Sequence, residues 1–577
     1  MKRNKTLSSN QKRALLGVSL AGLIISALFV NCSGKGFSVD DSDADPFLGF
    51  AWHINNTGQS VFATAGGEVG FDLNLLNTWQ SGFSGSGVKI LISDDGIEDT
   101  HEDLRDNYLY SGVSKNYALS SPYLANSSPP IDDDDNHGTS VAGLVAAVAA
   151  NGAGTKGVAY KASLVSANFL SGDVTQTEAI MVDQAGGDFD VFNMSWGSAQ
   201  NVLATTPSSF IAQLKAGATS RRSGKGALYV KAAGNSFSIL CRGVAAGSSA
   251  AKLPENYCVG NSNFDADNTT PYTIMVAALN AEGYASSYSS PGSNIWISSF
   301  GGEFGDDSPA MITTDRSGCS KGFSTSDASG LSFEKGGEGN SSCNYTATFN
   351  GTSAAAPVLT GVVALLLEVN PSLTWRDVKY ILASTATPVN YRTTGSISHP
   401  SESTPSSYVW EQVWVVNGAG FKFHNWYGFG RVNVDDAVTM AKSYTSPFGT
   451  LLETNWVDNI TGLSESIPDN SATGASSTTN VGTSMKIEAV QLKVWITHPD
   501  VSQLAIELTS PSGTKSILVN MNNSLRNLAD YDGEILLSNA FYRENSAGTW
   551  TLKVIDGKTG SSGTLTRWSL NFIGSSQ

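Results

Sequence analysis

The sequence predicts an α/β unit, a parallel sheet flanked by helices, followed by a smaller all-β module. Three observations carry this. From Asp45 to about Ser446 short apolar runs alternate with helix-like segments, the pattern of a parallel sheet covered on its faces. The segments SVAGLVAAVAA after His137 and APVLTGVVALLLEV after Ser353 are apolar almost all round, as helices buried against a sheet should be. After Pro447 the character changes: AVQLKVWI, QLAIELTSPSG and TWTLKVID alternate apolar and polar positions between Gly, Asn and Asp turns. No period of roughly 20 to 50 residues recurs, so nothing supports a solenoid or propeller.

In chain order, Lys2, Arg3, Lys5, Lys12 and Arg13 precede an uncharged run from Ala14 to Val30, closed by Asn31-Cys32. That is the layout of an export signal over residues 1–32. The run falls near the lower bound for spanning a bilayer, which leaves an uncleaved anchor as the alternative to cleavage before Cys32. LFVNC resembles a bacterial lipobox, with Asn31 where a smaller residue is usual, and implies a lipidated Cys32 at the cell envelope. Residues 33–44 read as a polar tether, 45–446 as the α/β unit and 447–577 as the β module. The sequence has five cysteines. An odd one in an oxidising compartment points to a special role, which Cys32 fills. The other four form two local pairs, Cys241 with Cys258 and Cys319 with Cys343, expected as disulfides. The Ser, Pro and Thr run from Thr393 to Ser407 reads as a surface loop.

A net charge of -16 over 577 residues argues against a nucleic-acid partner, which would need clustered Lys and Arg. Cationic substrates suit it better. Low charge content, 15%, with 59 Gly fits a secreted, loop-rich protein.

Three segments carry candidate chemistry: ISDDGIEDTHEDL around Asp94, DNHGTSVAGLVA around His137 and FNGTSAAAPVLTG around Ser353. Alone, each has an ordinary reading as a turn or loop. In this order they resemble the signature blocks of subtilisin-like serine proteases. The resemblance implies a subtilisin-like sheet in which Ser353 is the nucleophile, His137 its base and Asp94 the group that holds the imidazole. Asn235 in VKAAGNS stands where such proteases have a side-chain donor to the oxyanion, with the Ser353 backbone N–H as its partner.

Further segments resemble the kexin/furin branch: ADPFLGFAWHINNTGQ, NMSWG at Asn193–Gly197, LTWRDVKYILASTA, and, in the β module, SPSGT, GTWTLKVID and TRWSLNF. The module is then expected to be a P-domain-like, jelly-roll-like sandwich. The resemblance also implies a structural calcium ion, held by the side chains of Asp45, Asp103 and Asn151 and by carbonyls near Val148, Ala153 and Thr155. Substrate would lie along Ser195, Trp196 and Gly197. Asp265 would receive a basic side chain, and Asp95, Asp134 and Asp135 the residue before it. Gln200 and Ser290 depart from the pattern, because acids are expected at both places.

The resemblance thus implies a serine endopeptidase acting on proteins or peptides with a preference for basic residues. The competing readings are an inert surface-adhesion protein on a protease fold and a carbohydrate-binding or scaffold role for the β module. In the β module, Trp495, Trp550 and Trp568 sit in alternating strands and read as core rather than a sugar platform. Relatives of this kind carry a folding prodomain, and the dozen or so residues between Cys32 and Asp45 cannot bury a core of their own. Folding is therefore expected to depend on the β module, on calcium or on a separately encoded helper.

Overall fold

The computed structural model describes residues 45–240, 257–390, 405, 408–458 and 462–576. The signal, the tether, Cys32, Cys241 and nearly all of the Thr393–Ser407 loop lie outside the described residues.

The first unit is built on an eight-stranded sheet. Its strands are β1 (Lys89–Ser93), β2 (Ser114–Lys115), β3 (Leu124–Ala125), β4 (Ser163–Ala167), β5 (Val191–Met194), β6 (Leu228–Ala232), β7 (Thr273–Leu279) and β8 (Ile297–Phe300), in the order β8-β7-β6-β5-β1-β4-β2-β3. All neighbours pair in parallel except the edge pair of β2 with β3. Both faces are covered, so the strands are continuous apolar runs rather than alternating ones; β5, β6 and β7 are buried at every residue.

The order reverses at β1, which has β4 on one side and β5 on the other. Ser93 pairs with Ala167 and with Met194, so the carboxyl ends of the three strands are level. Functional groups of open α/β sheets gather outside such ends, at the switch in strand order. Asp94 follows β1 there, and Ser195 follows β5.

Two predicted helices fill the core: α1 (His137–Ala146) and α2 (Thr352–Val369). Although α2 is apolar enough to cross a membrane, 83% of it is buried inside the protein. Small residues let it approach closely: a Cβ at Gly361 would stand 2.6 Å from Val158 Cβ. A third helix, α3 (Trp375–Thr385), starts at a capping box in which Thr374 and Asp377 satisfy each other's backbone N–H groups.

The β module has two antiparallel sheets. In one, Gly563–Ser575 pairs with Lys486–Thr497, which pairs with Tyr531–Ser538; in the other, Ala475–Val481, Gly548–Asp556, Leu504–Thr509 and Lys515–Val519 are neighbours in that order. Their facing side chains form one core that includes Trp550 and Trp568, both fully buried. Trp495 is half-buried under the Arg567 guanidinium, 4.6 Å from its ring centre.

Residues 45–577 form one compact unit. Arg376 Nε of α3 donates to Glu488 at 2.7 Å, Leu537 N donates to Asn263 Oδ1 at 2.8 Å, and Ser524 Oγ donates to the Gln200 carbonyl. Phe264 of the first unit lies inside the core of the β module. The module therefore braces the loop that follows Ser195–Gly197. Cys319 and Cys343 are bonded, as the sequence predicts, and Cys258 is also in a disulfide, with its expected partner outside the described residues.

Candidate active site

Asp94, 1% exposed at its side chain, and His137, 30% exposed, meet through Oδ1 and Nδ1 at 2.8 Å. Burial pulls the imidazole toward neutrality, yet the charge and hydrogen bond of Asp94 outweigh it and hold the ring above its ordinary pKa. Asp94 Oδ1 also accepts from Asp95 N at 2.9 Å, while its Oδ2 is buried with no partner among the described residues. The Phe349 ring packs 5.2 Å from the imidazole.

The start of α1 is fixed by Asp95, whose oxygens accept from His137 N at 2.9 Å and Gly138 N at 2.7 Å. A carboxylate is favourable there because the first N–H groups of a helix lack partners of their own. Burial, then the neighbouring charge of Asp94, push the Asp95 carboxyl well above the usual range. Gly138 has no alternative, since a Cβ would stand 2.3 Å from the Gly96 carbonyl oxygen.

Ser353 is the second residue of α2, after Gly351 at φ +101°. Its Oγ donates to the Ser195 carbonyl at 3.1 Å, and Ser195 Oγ donates to the Ser353 carbonyl at 3.0 Å. Among the described residues no hydrogen bond joins Ser353 to His137. Asn235 is brought to the same helix start: its Oδ1 accepts from Thr352 N at 2.8 Å and from Thr352 Oγ1 at 2.9 Å. Its Nδ2 and the Ser353 backbone N lie 3.0 and 3.4 Å from one point, the position of a Cβ that Gly351 lacks. Two amide nitrogens thus lie near one point at the start of α2.

The expected substrate-side carboxylates are differently employed. Asp134 is exposed, whereas Asp135 is buried and accepts from Ile131 N and Asp132 N at 3.0 and 2.9 Å. Asp95 is the helix cap just described. Asp265, 1% exposed, accepts from Ser198 N at 2.8 Å and lies 3.8 Å from Lys231 Nζ. Gln200 Nε2 donates to the Ala233 carbonyl at 2.8 Å and Ser290 Oγ accepts from Ser236 N at 2.8 Å, so neutral hydrogen bonds fill the two places where acids are expected. Sequence reasoning missed Lys231. Its signal was a lysine inside LYVKA, an otherwise apolar strand.

The residues expected to hold calcium converge. Asn151 Nδ2 donates to Asp103 Oδ1 at 2.9 Å, and Asn151 N to Asp45 Oδ1 at 3.2 Å. Burial pushes the Asp103 carboxyl up to about 8, against its hydrogen bonds from Thr155 and Asn151, and Asp45 also upward. Thr155 Oγ1 is buried without a partner, and the Val148, Ala153 and Thr155 carbonyls accept no hydrogen bond among the described residues. The oxygens of Asp45, Asp103 and Thr155 and these carbonyls are hard donors, which fits a cation such as calcium, while Asn151 turns its Nδ2 to Asp103 and its Oδ1 to Ala153 N. Among the described residues no group of three or more His, Cys, Asp and Glu side chains could hold a metal, so amide and carbonyl oxygens would have to complete the set.

The sequence model of the Subtilase family matches residues 85–430, and that of the proprotein convertase P-domain matches residues 487–572. The extracellular serine protease of Aeromonas sobria is 37% identical over 541 residues, covering 89% of this chain and 84% of its own. Kexin of Saccharomyces cerevisiae is 28% identical, over 92% of this chain and 56% of its own. Among solved structures, the Aeromonas sobria serine protease in complex with the chaperone ORF2 superposes with a TM-score of 0.82 at 33% identity, covering 94% of this chain and 98% of that one.

Proposed function

The chain belongs to the Subtilase family of serine proteases and carries a convertase-type P-domain, and from this we propose that it is a serine endopeptidase acting through Asp94, His137, Ser353 and Asn235. The observation that carries the reading is the 2.8 Å bond from buried Asp94 to His137 Nδ1. That bond fixes the tautomer that leaves Nε2 free as a base.

In this mechanism Ser353 Oγ attacks the peptide carbonyl carbon as its proton passes to His137 Nε2. The oxyanion is met by Asn235 Nδ2 and the Ser353 N–H. Collapse breaks the C–N bond, His137 returns the proton to the leaving amine, and water repeats the sequence on the acyl-enzyme. In the free protein Ser353 Oγ is held by the Ser195 carbonyl. A substrate strand that donates a backbone N–H to that carbonyl would release Oγ toward His137, in keeping with catalytic hydrogen bonds that tighten only on binding. Asn235→Ala is expected to lower kcat by about 10²- to 10³-fold with little change in KM, the cost of one oxyanion donor. Steady-state kinetics on a peptide amide check this, and a variant with wild-type kcat removes Asn235 from the site.

The relatives of the kexin type support placement in that branch, and the extracellular relative supports export. Lipidation of Cys32 would then hold the enzyme at the cell envelope. A separate folding helper is supported by the relative solved with a chaperone. The basic-residue preference of the kexin type would rest on Asp265, and there Lys231 stands against the carboxylate.

Calcium, when bound by Asp45, Asp103, Asn151, Thr155 and nearby carbonyls, would supply the charge those oxygens lack and tie the N-terminal segment to the loop after α1. A ligand that binds only the folded state adds RT ln(1 + [L]/Kd), about 2.7 kcal/mol at a hundredfold excess over Kd. Chelation is therefore expected to lower the melting temperature by several degrees, and Asp103→Asn to abolish that response. Equal melting curves with and without chelator, after time for exchange, would count against the site.

A further inference from the structure

Lys231 lies in β6, buried at all five of its residues, and its side chain is fully buried. Its Nζ donates to the Trp196 carbonyl at 2.6 Å, lies 4.4 Å from the centre of the Trp196 ring and 3.8 Å from Asp265 Oδ2. A buried ammonium persists only where carboxylate and carbonyl oxygens replace its water. A carboxylate, a carbonyl and an aromatic face are also what a protease would offer a substrate's Lys or Arg.

The pair sits along the segment that leads away from Ser353. Ser195 is bonded to Ser353 through both its carbonyl and its hydroxyl. Two residues on, a Cβ at Gly197 would stand 2.7 Å from Asp265 Oδ2 and 3.5 Å from Lys231 Nζ, so only bare backbone passes the pair. The second acid nearby, Asp267, accepts from Thr206 Oγ1. Neutral Gln200 and Ser290 add no charge. A second cation entering here would meet one already in place, with Asp265 already facing it.

We propose that Lys231 is a resident cation occupying the cationic subsite beside Ser195–Gly197, and that it sets primary specificity by removing selection for Arg or Lys immediately before the scissile bond. This rests on the endopeptidase reading above. Removing Lys231 leaves Asp265 without its counter-ion and opens room for a substrate's own, so selectivity for basic residues should appear.

The test is kcat/KM on peptides that differ only in the residue before the scissile bond, Arg, Lys, Leu or Phe, for the wild type, Lys231→Arg, Lys231→Ala and Lys231→Ala/Asp265→Asn. The wild type and Lys231→Arg are expected to give an Arg-to-Leu ratio below about ten. Lys231→Ala is expected to raise that ratio roughly ten- to a hundredfold, the effect of one charge-assisted hydrogen bond, and the double variant to lose the gain. A wild-type ratio well above ten, or a folded Lys231→Ala enzyme with an unchanged ratio, overturns the proposal. Should Lys231→Ala fail to fold, Lys231→Met, which keeps the apolar stem and removes the charge, takes its place with the same expected rise, and an unchanged ratio in that folded variant overturns the proposal. Failure of the endopeptidase reading looks different: no peptide is cleaved and the wild type takes up no fluorophosphonate.

Discussion

Ser353→Ala is expected to abolish peptide hydrolysis, with kcat falling by about 10⁶-fold, the loss seen when the triad serine of subtilisin, a member of the same family, is removed. The size follows from the role: without Oγ there is no acyl-enzyme, and what remains is stabilisation by Asn235 and the helix N–H groups. The fold should be untouched. Ser353 is partly exposed at the start of α2, and the bond its Oγ makes, to the Ser195 carbonyl, is a single neutral one. Loss of such a bond costs about 1 kcal/mol in stability. Far-ultraviolet circular dichroism of the variant should match the wild type and its melting temperature should stay within a few degrees of it, and retained hydrolysis would remove Ser353 from the mechanism.

Asp94→Asn is expected to cost about 10⁴-fold in kcat, because an amide can hold the imidazole in the wrong tautomer and brings no charge to stabilise the imidazolium. The pH profile separates this from a folding defect. With His137 as the proposed base, activity requires the neutral ring and falls as pH drops through its folded-state pKa. Asp94 holds that pKa above the ordinary imidazole value, against the pull of burial. Removing the anion leaves only the Asp95 charge against burial, so the acid limb of the residual activity should move to lower pH. A limb that stays in place would show that the Asp94 charge does not govern His137.

Much of this was legible in the sequence. β1 and the all-apolar helices α1 and α2 follow from runs that suit only buried elements, and of the three blocks read from the sequence the structure joins Asp94 to His137 at 2.8 Å. The Cys319–Cys343 bridge was legible because the two cysteines are close in sequence. Less legible was what the acidic residues do. Asp95 and Asp135 stand where the resemblance expects substrate contacts, yet they spend oxygens on the backbone N–H groups of α1 and of the loop before it. Hydrogen bonding of a carboxylate to its own loop leaves no periodicity to detect. The pairing of Lys231 with Asp265 was hidden for another reason. The two residues are brought together by the parallel pairing of β6 with β5 and by the loop that reaches β7, and only the finished sheet sets them 3.8 Å apart.

The central claim is that Ser353 is a nucleophile activated by the Asp94–His137 pair. Treating the purified protein with a fluorophosphonate and mapping the adduct by peptide mass spectrometry tests it most directly. The account predicts stoichiometric labelling of the peptide containing Ser353, on that residue alone, slowed strongly in Asp94→Asn and absent in Ser353→Ala. No adduct on folded protein, or an adduct on a different serine that persists in Ser353→Ala, would contradict it.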